Sequence, residues 1–137
     1  MSPREPVLAF YASVARGDVP AIVALLHPDL EWTEAAGFPY YSGTWTSAEQ
    51  VIDNLLIPLG RDCSHFAVVA DEVLALDASR VLSLGAYAGT ARATGRSMRA
   101  PFAHLWRVRD GRLCRFDMYT DTAVVRAALF PVTPSTP

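Results

Sequence analysis

Apolar residues recur at helical spacing from Glu5 to Ala15, where Val7, Leu8, Phe10, Tyr11 and Val14 form a stripe that Gly17 closes. Asp18 is placed to cap a second helix, with Pro20 in its first turn and Ile22, Val23, Leu25 and Leu26 on its apolar side; His27-Pro28-Asp29 stops it. The period then changes to two. In the stretch LEWTE, residues Leu30, Trp32 and Glu34 share one face of a strand, so a carboxylate is aimed the same way as an indole. The following AAGFPYYSGTW is too rich in Gly and Pro for regular structure. Both TSAE and SAEQ fit a capping box, which starts a third helix at Thr46 or Ser47 and carries it to about Leu56, before Pro58 and Gly60.

From Ser64 onward the pattern is β. Residues 64–77, 80–91, 97–110 and 112–121 read as four long strands, joined by turns at Asp77 to Arg80, at ATGR and at Asp110-Gly111. Asp121 caps a last helix, DTAVVRAAL. Helices first and a meander afterwards predict an α+β domain over residues 1–130, with a curved antiparallel sheet packed on helices and residues 131–137 as a flexible tail. A concave face that the helices do not fill is a small-molecule pocket.

Counting by twos assigns the faces. Met98, Ala100, Phe102, His104, Trp106 and Val108 point toward the helices, as do Cys114, Phe116 and Met118 on the last strand. Only His104 breaks the apolar row. On the strand before, Gly85, Tyr87 and Gly89 share a face, and the two glycines suggest space for a ligand. Glu34 is expected to meet His104, or a ligand, inside this hollow. Burial raises a carboxyl pKa and lowers that of an imidazole, and such a pair could move a proton.

Composition narrows the partners. Hydrophobic residues are 51% of the 137-residue chain and charged residues 19%, an apolar balance that suits a pocket or a subunit interface. A net charge of −2 provides no broad basic field for nucleic acid or anionic membranes, and the Arg92, Arg96 and Arg99 cluster reads as a solvated turn. Cys63 and Cys114 lack metal-ligand spacing and read as free thiols; no metal or cofactor is called for. The first residues, MSPREPVLAFYASVARGD, lack the uninterrupted apolar core and small-residue cleavage site of a signal peptide, no apolar run approaches membrane-spanning length, and a cytoplasmic location is expected.

The run RGDVPAIVALLHPDLEWTE, the capped helix after PYYSG, and FAHLWRVRDGRLCRFDMYTD together resemble the SnoaL-like proteins of the nuclear transport factor two superfamily, over roughly residues 5–130. The resemblance implies a cone-shaped α+β roll with an internal pocket, commonly a homodimer through the outer sheet face. By position, Glu34 matches the general base of the ketosteroid isomerases, and His104 matches the protonated acid of their oxyanion hole. Those enzymes carry Asp at both places. Their helix-one tyrosine falls on Phe10, with Tyr11 next door on a different helical face. The Asp-Arg-Asp group of the epoxide hydrolases falls on Tyr87, Gly85 and Met118, which disfavours that chemistry, and the cyclases' acid again falls on Met118.

The expected function is therefore a homodimeric pocket protein for a small, largely apolar molecule. Proton transfer of an isomerase, cyclase or dehydratase type is assigned to Glu34 as base and His104 as polarising donor or acid. Phe10, Trp32, Tyr87, Phe102 and Met118 form the expected wall, and FPYYSG, with Tyr40 and Tyr41, the rim or lid. The competing expectation is a non-catalytic ligand-binding or dimerisation module of the same fold.

Overall fold

The structure, a computed structural model, describes residues 2–40 and 43–130; Tyr41 and the tail at 131–137 lie outside the described residues. Helix α1 spans Arg4–Arg16 and ends on Gly17, whose φ of 64° supplies the left-handed turn. Helix α2, Val19–Leu25, is capped by Asp18, which accepts a hydrogen bond from Ala21 N. Both stripes are narrower than the apolar pattern, since Leu8 and Val23 face solvent. Strand β1, Leu26–Thr33, starts at once, before the His27-Pro28-Asp29 stop, because a bulge between Leu26 and Glu31 absorbs the proline.

After the short strand β2, Thr44–Trp45, Ser47 caps α3, Ala48–Val51, and accepts from Gln50 N. The expected stop at Leu56 does not occur. A π-helical turn, Ile52–Leu56, carries the chain into α4, Ile57–Asp62, through Pro58 and Gly60. Pro58 lies in the first turn of α4, where a missing N–H costs least.

Strands β3, Cys63–Ala75, β4, Arg80–Ala91, β5, Ser97–Arg109, and β6, Arg112–Thr120, form the expected antiparallel meander. The sheet order is β2-β1-β6-β5-β4-β3, with β1 parallel to β6. That parallel pairing joins residues 84 to 87 positions apart and has no local signal. Helix α5, Thr122–Leu129, is capped by Asp121. Its C-terminal carbonyls are not left to water: Arg96 donates to Ala127 O at 2.7 Å and Thr94 to Ala128 O at 2.5 Å. The turn read as solvated thus fastens α5 to the sheet.

The curvature has a visible cause. Strand β3 bulges between Ser64 and Ala67 and again between Ala70 and Glu72, and Gly89 and Gly85 of β4 lie opposite these two places. A methyl group on Gly85 would overlap the Val69 backbone carbonyl, and one on Gly89 would press on Phe66. The two glycines therefore admit neighbouring backbone, not a ligand, and correct the expectation of open space beside Tyr87.

On the concave side the core is aromatic. Trp32 stacks on Phe116 with centroids 3.9 Å apart, and Trp106 meets Phe116 at 4.4 Å and Phe10 at 5.1 Å. Such pairs add about 0.5–1.5 kcal/mol each beyond the area they bury. Met98, Ala100, Phe102, His104 and Trp106 are all buried, as the period-two reading requires. On β6, Leu113 is buried beside Cys114, because a register shift at Arg107 and Val108 breaks the alternation at that end.

Candidate functional site

Glu34 stands one residue past β1 and is only 4% exposed. The alternation that aims it inward also supplies its partner: Trp32 Nε1 donates to Glu34 Oε1 at 2.8 Å. Burial pushes the carboxyl up to about 7, and the indole bond resists the rise without cancelling it. At neutral pH the group is therefore divided between acid and base forms.

His104, from the middle of β5, is 2% exposed. Its Nδ1 lies 2.6 Å from Tyr11 Oη, and its Nε2 lies 2.5 Å from Tyr87 Oη. Trp106 Nε1 donates to Tyr11 Oη at 3.2 Å, and Phe102 stacks on the imidazole at 3.8 Å. Burial holds His104 well below the usual imidazole range, so the ring is neutral. A neutral imidazole donates through one nitrogen and accepts through the other. One tautomer therefore accepts from the Tyr11 O–H, donates to Tyr87 Oη and leaves the Tyr87 O–H free, while the other frees the Tyr11 O–H. Tyr11 is raised to about 12 and Tyr87 well above its ordinary value, both chiefly by burial, so the phenols stay protonated. Glu34 raises Tyr87 further, which places the carboxylate within electrostatic reach of that hydroxyl.

The expected contact between Glu34 and His104 is not made. Both line the same cavity, but Glu34 bonds to Trp32 and His104 to the two tyrosines. The wall also differs. Phe10, Trp32 and Tyr87 line the cavity, whereas Phe102 and Met118 are core residues behind it. Phe102 is spent stacking on His104, and Met118 pairs with His104 across the β5–β6 ladder. Phe116 takes the place expected for Met118, and Leu55 and Leu56 of the π-helical turn close the opposite side. The FPYYSG loop contributes Phe38 to the cavity, while Tyr40 turns away to donate to Asp62 Oδ2 at 2.6 Å. Asp117 pairs with Arg115 and Asp121 caps α5, so neither serves the cavity.

Tyr11 is the chief residue that sequence reasoning set aside. Its signal was present, since Val7 and Tyr11 stand four apart on one helical face and Val7 is fully buried. Ser83 was also missed. It is fully buried on β4 opposite His104, its hydroxyl has no hydrogen-bond partner among the described residues, and it lies close enough to Tyr11 to favour its phenolate.

The profile of SnoaL-like domains matches residues 7–116. The chain belongs to the SnoaL-like family. Among solved structures, this SnoaL-like chain is similar to an NTF2-like protein of Burkholderia thailandensis E264 at 36% identity, over 96% of this chain and 99% of that one, with a TM-score of 0.89. It is similar to TerC, co-crystallized with polyporic acid, at 25% identity over 92% and 96% of the chains, with a TM-score of 0.80. A protein of Jannaschia sp. CCS1 proposed to be a SnoaL-like polyketide cyclase shares 17% identity over 95% and 93%, with a TM-score of 0.79. At that identity the likeness is one of fold. No curated protein matches the sequence. The fold is the NTF2-like cone, and the chain is a SnoaL-like pocket protein. Among the described residues no helix is long and apolar enough to cross a membrane, and no cluster of metal-binding side chains occurs.

Proposed function

We propose that this SnoaL-like protein moves a proton on a small, mostly apolar molecule, with Glu34 as the base. The observation that carries the reading is the pairing of a carboxyl poised near pH 7 with a neutral hydroxyl–imidazole–hydroxyl chain in one apolar cavity. Glu34 in its ionised form takes a proton from the ligand. The free O–H of Tyr87 or Tyr11 donates to the oxygen on which charge develops, while neutral His104 donates to that tyrosine's oxygen and accepts from the other tyrosine, so the chain is polarised and both phenols keep their protons. Of the two roles expected for His104, polarising donor or acid, this reading keeps the first: burial disfavours the imidazolium, and the neutral ring acts as a positioning residue between the two hydroxyls. A positioned base contributes about 10² to 10⁴ in rate, and preorganised donors add to it.

The cavity as it stands holds only about 40 Å³, against roughly 300–1,000 Å³ for a site that engulfs a drug-sized ligand. A ligand must therefore be very small or must spread the side chains that enclose it. This tightness is the observation favouring the second reading, a non-catalytic binding module. The polyporic acid seen with TerC supports an organic ligand in either case.

The test is exchange of α-hydrogens of small cyclic ketones in D₂O, followed by NMR. Exchange catalysed by the wild type, rising through about pH 7 and lost in Glu34→Gln, supports proton transfer. Ligand-induced shifts in cavity residues without exchange over the same range would support the binding module instead. Association through the outer face of the sheet, as a homodimer, belongs to the same proposal.

A further inference from the structure

A second hollow lies outside the first. It is a groove of about 430 Å³ between α1 and α2 on one side and the π-helical turn, α4 and the start of β3 on the other. Val14, Leu56, Leu59 and Phe66 line both the groove and the inner cavity, so these four side chains form the partition between them. The groove has the volume of a ligand site where the cavity does not.

Its walls are apolar, and the formal charge on them is the Arg92 guanidinium. His65 also lines the groove, and among the described residues no carboxylate does. Arg92 Nε donates to Arg61 O at 3.1 Å, which fixes the guanidinium while its two terminal nitrogens have no partner among the described residues. Asp62, whose carbonyl accepts from Arg92 N, lines an adjacent cleft together with Arg92, and its carboxylate is held by Arg61 and Tyr40. A fork fixed at Nε and open at both Nη atoms matches a carboxylate.

His65 supplies a second, independent geometric observation. It sits in the first β3 bulge with φ of 53°, a conformation in which such bulges ordinarily place glycine. Its ring is exposed on the groove and has no hydrogen bond among the described residues. A non-glycine residue there costs backbone strain, and strain of this kind gathers at ligand sites.

We propose that the groove is the outer half of the ligand site and that it selects an apolar organic carboxylate, with the acid on Arg92 and His65 and the body directed across the four-residue partition toward the cavity. This rests on the pocket reading and deepens it by naming the ligand class. The π-helical turn suits the role, since it supplies Leu56 to the partition and is not locked into an unbroken α-helical ladder.

The experiment uses three probes that differ only in the polar end: 4-phenylbutanoate, 4-phenylbutanamide and 4-phenylbutylamine, titrated into the full chain at low salt and followed by amide chemical shifts. The expected result is that the carboxylate binds at least about tenfold more tightly than the amide, as a charge-assisted pair predicts, with the amine weakest and the shifts centred on residues 14, 56, 59, 66 and 92. Arg92→Gln should bring carboxylate and amide to within about twofold. His65→Gly, which suits the backbone and should fold at least as well as the wild type, should narrow the gap in the same direction. Equal binding of carboxylate and amide to the wild type, an advantage that survives Arg92→Gln, or no binding of any probe overturns the proposal. Repeating the titration in Glu34→Gln separates it from the catalytic reading: retained carboxylate preference without hydrogen exchange leaves the groove assignment standing and removes only the chemistry.

Discussion

Trp32 Nε1 donates to Glu34 Oε1 across two residues of one strand edge, so the indole that accompanies the acid into the interior is also the donor that keeps it ionisable there. Desolvation and this bond oppose one another, and desolvation wins. Trp32→Phe keeps the ring and deletes the donor. The Glu34 pKa should then rise above about 7 by about one unit, from the roughly 1.5 kcal/mol carried by a hydrogen bond to a charged group. Carboxyl ¹³C titration measures it, and an unchanged midpoint would show that the bond does not tune the acid.

Glu34 also sets a pH dependence of stability. Its folded pKa of about 7 lies above its ordinary 4.5, so the native state holds the proton more tightly than the unfolded chain does. The stability this confers is complete below about pH 4.5 and is lost as pH rises through about 7. The full loss is on the order of 3 kcal/mol. His104, depressed below the usual imidazole range, acts in the opposite sense, and its contribution is lost as pH falls below about 6.5. Glu34→Gln should therefore match the wild type in urea at pH 4.5 and exceed it at pH 8. Equal midpoints at pH 8 would mean that the carboxylate is better solvated than its burial implies.

The two tyrosines should not be equivalent. Tyr87→Phe leaves one imidazole nitrogen unpaired, whereas Tyr11→Phe orphans the other nitrogen and the Trp106 indole as well. Each orphaned buried group costs about 1–3 kcal/mol. Tyr11→Phe should be the more destabilising in chemical denaturation, and the reverse order would displace Tyr11 from the centre of the network.

Gly85→Ala tests the origin of the curvature. The added methyl meets backbone rather than a flexible side chain, so β3 must shift or lose its second bulge. A loss of about 3 kcal/mol or more, near 10 °C in Tm for a domain of this size, is expected. A thermal melt within 2–3 °C of the wild type would show the strand pair to be more yielding than its geometry.

The outer face of the sheet bears on assembly. Val69, Ala86 and Pro101 form one rung across three strands, with Val69 and Pro101 exposed and no helix over them among the described residues. Sedimentation at micromolar concentration should report a dimer, and Val69→Glu should shift it toward monomer. A monomeric wild type removes the homodimer from the proposal.

Much of the architecture was legible because it is written locally. The caps at Asp18, Ser47 and Asp121, the Asp110-Gly111 turn and the period-two burial along β5 are all short-range preferences, and the tertiary structure obeys each of them. Placing Glu34 and His104 inside followed from the same alternation. Where the short-range signal was opposed, it failed. Pro58 and Gly60 looked like a stop, yet a π-helical turn fitted the proline into the first turn of a continuing helix.

The sequence by itself determined which faces are apolar and that Glu34 and His104 point in among them, since strand and helix periods fix side-chain direction before anything packs. Only the tertiary structure decided what those groups touch. The parallel β1–β6 pairing and the approach of α1 to β5 each join distant segments, and the bulges opposite Gly85 and Gly89 bend the sheet between them. They bring Tyr11 and Tyr87 to His104 and leave Glu34 with its own strand neighbour, because a partner is set by the three-dimensional path of the backbone and not by spacing along it.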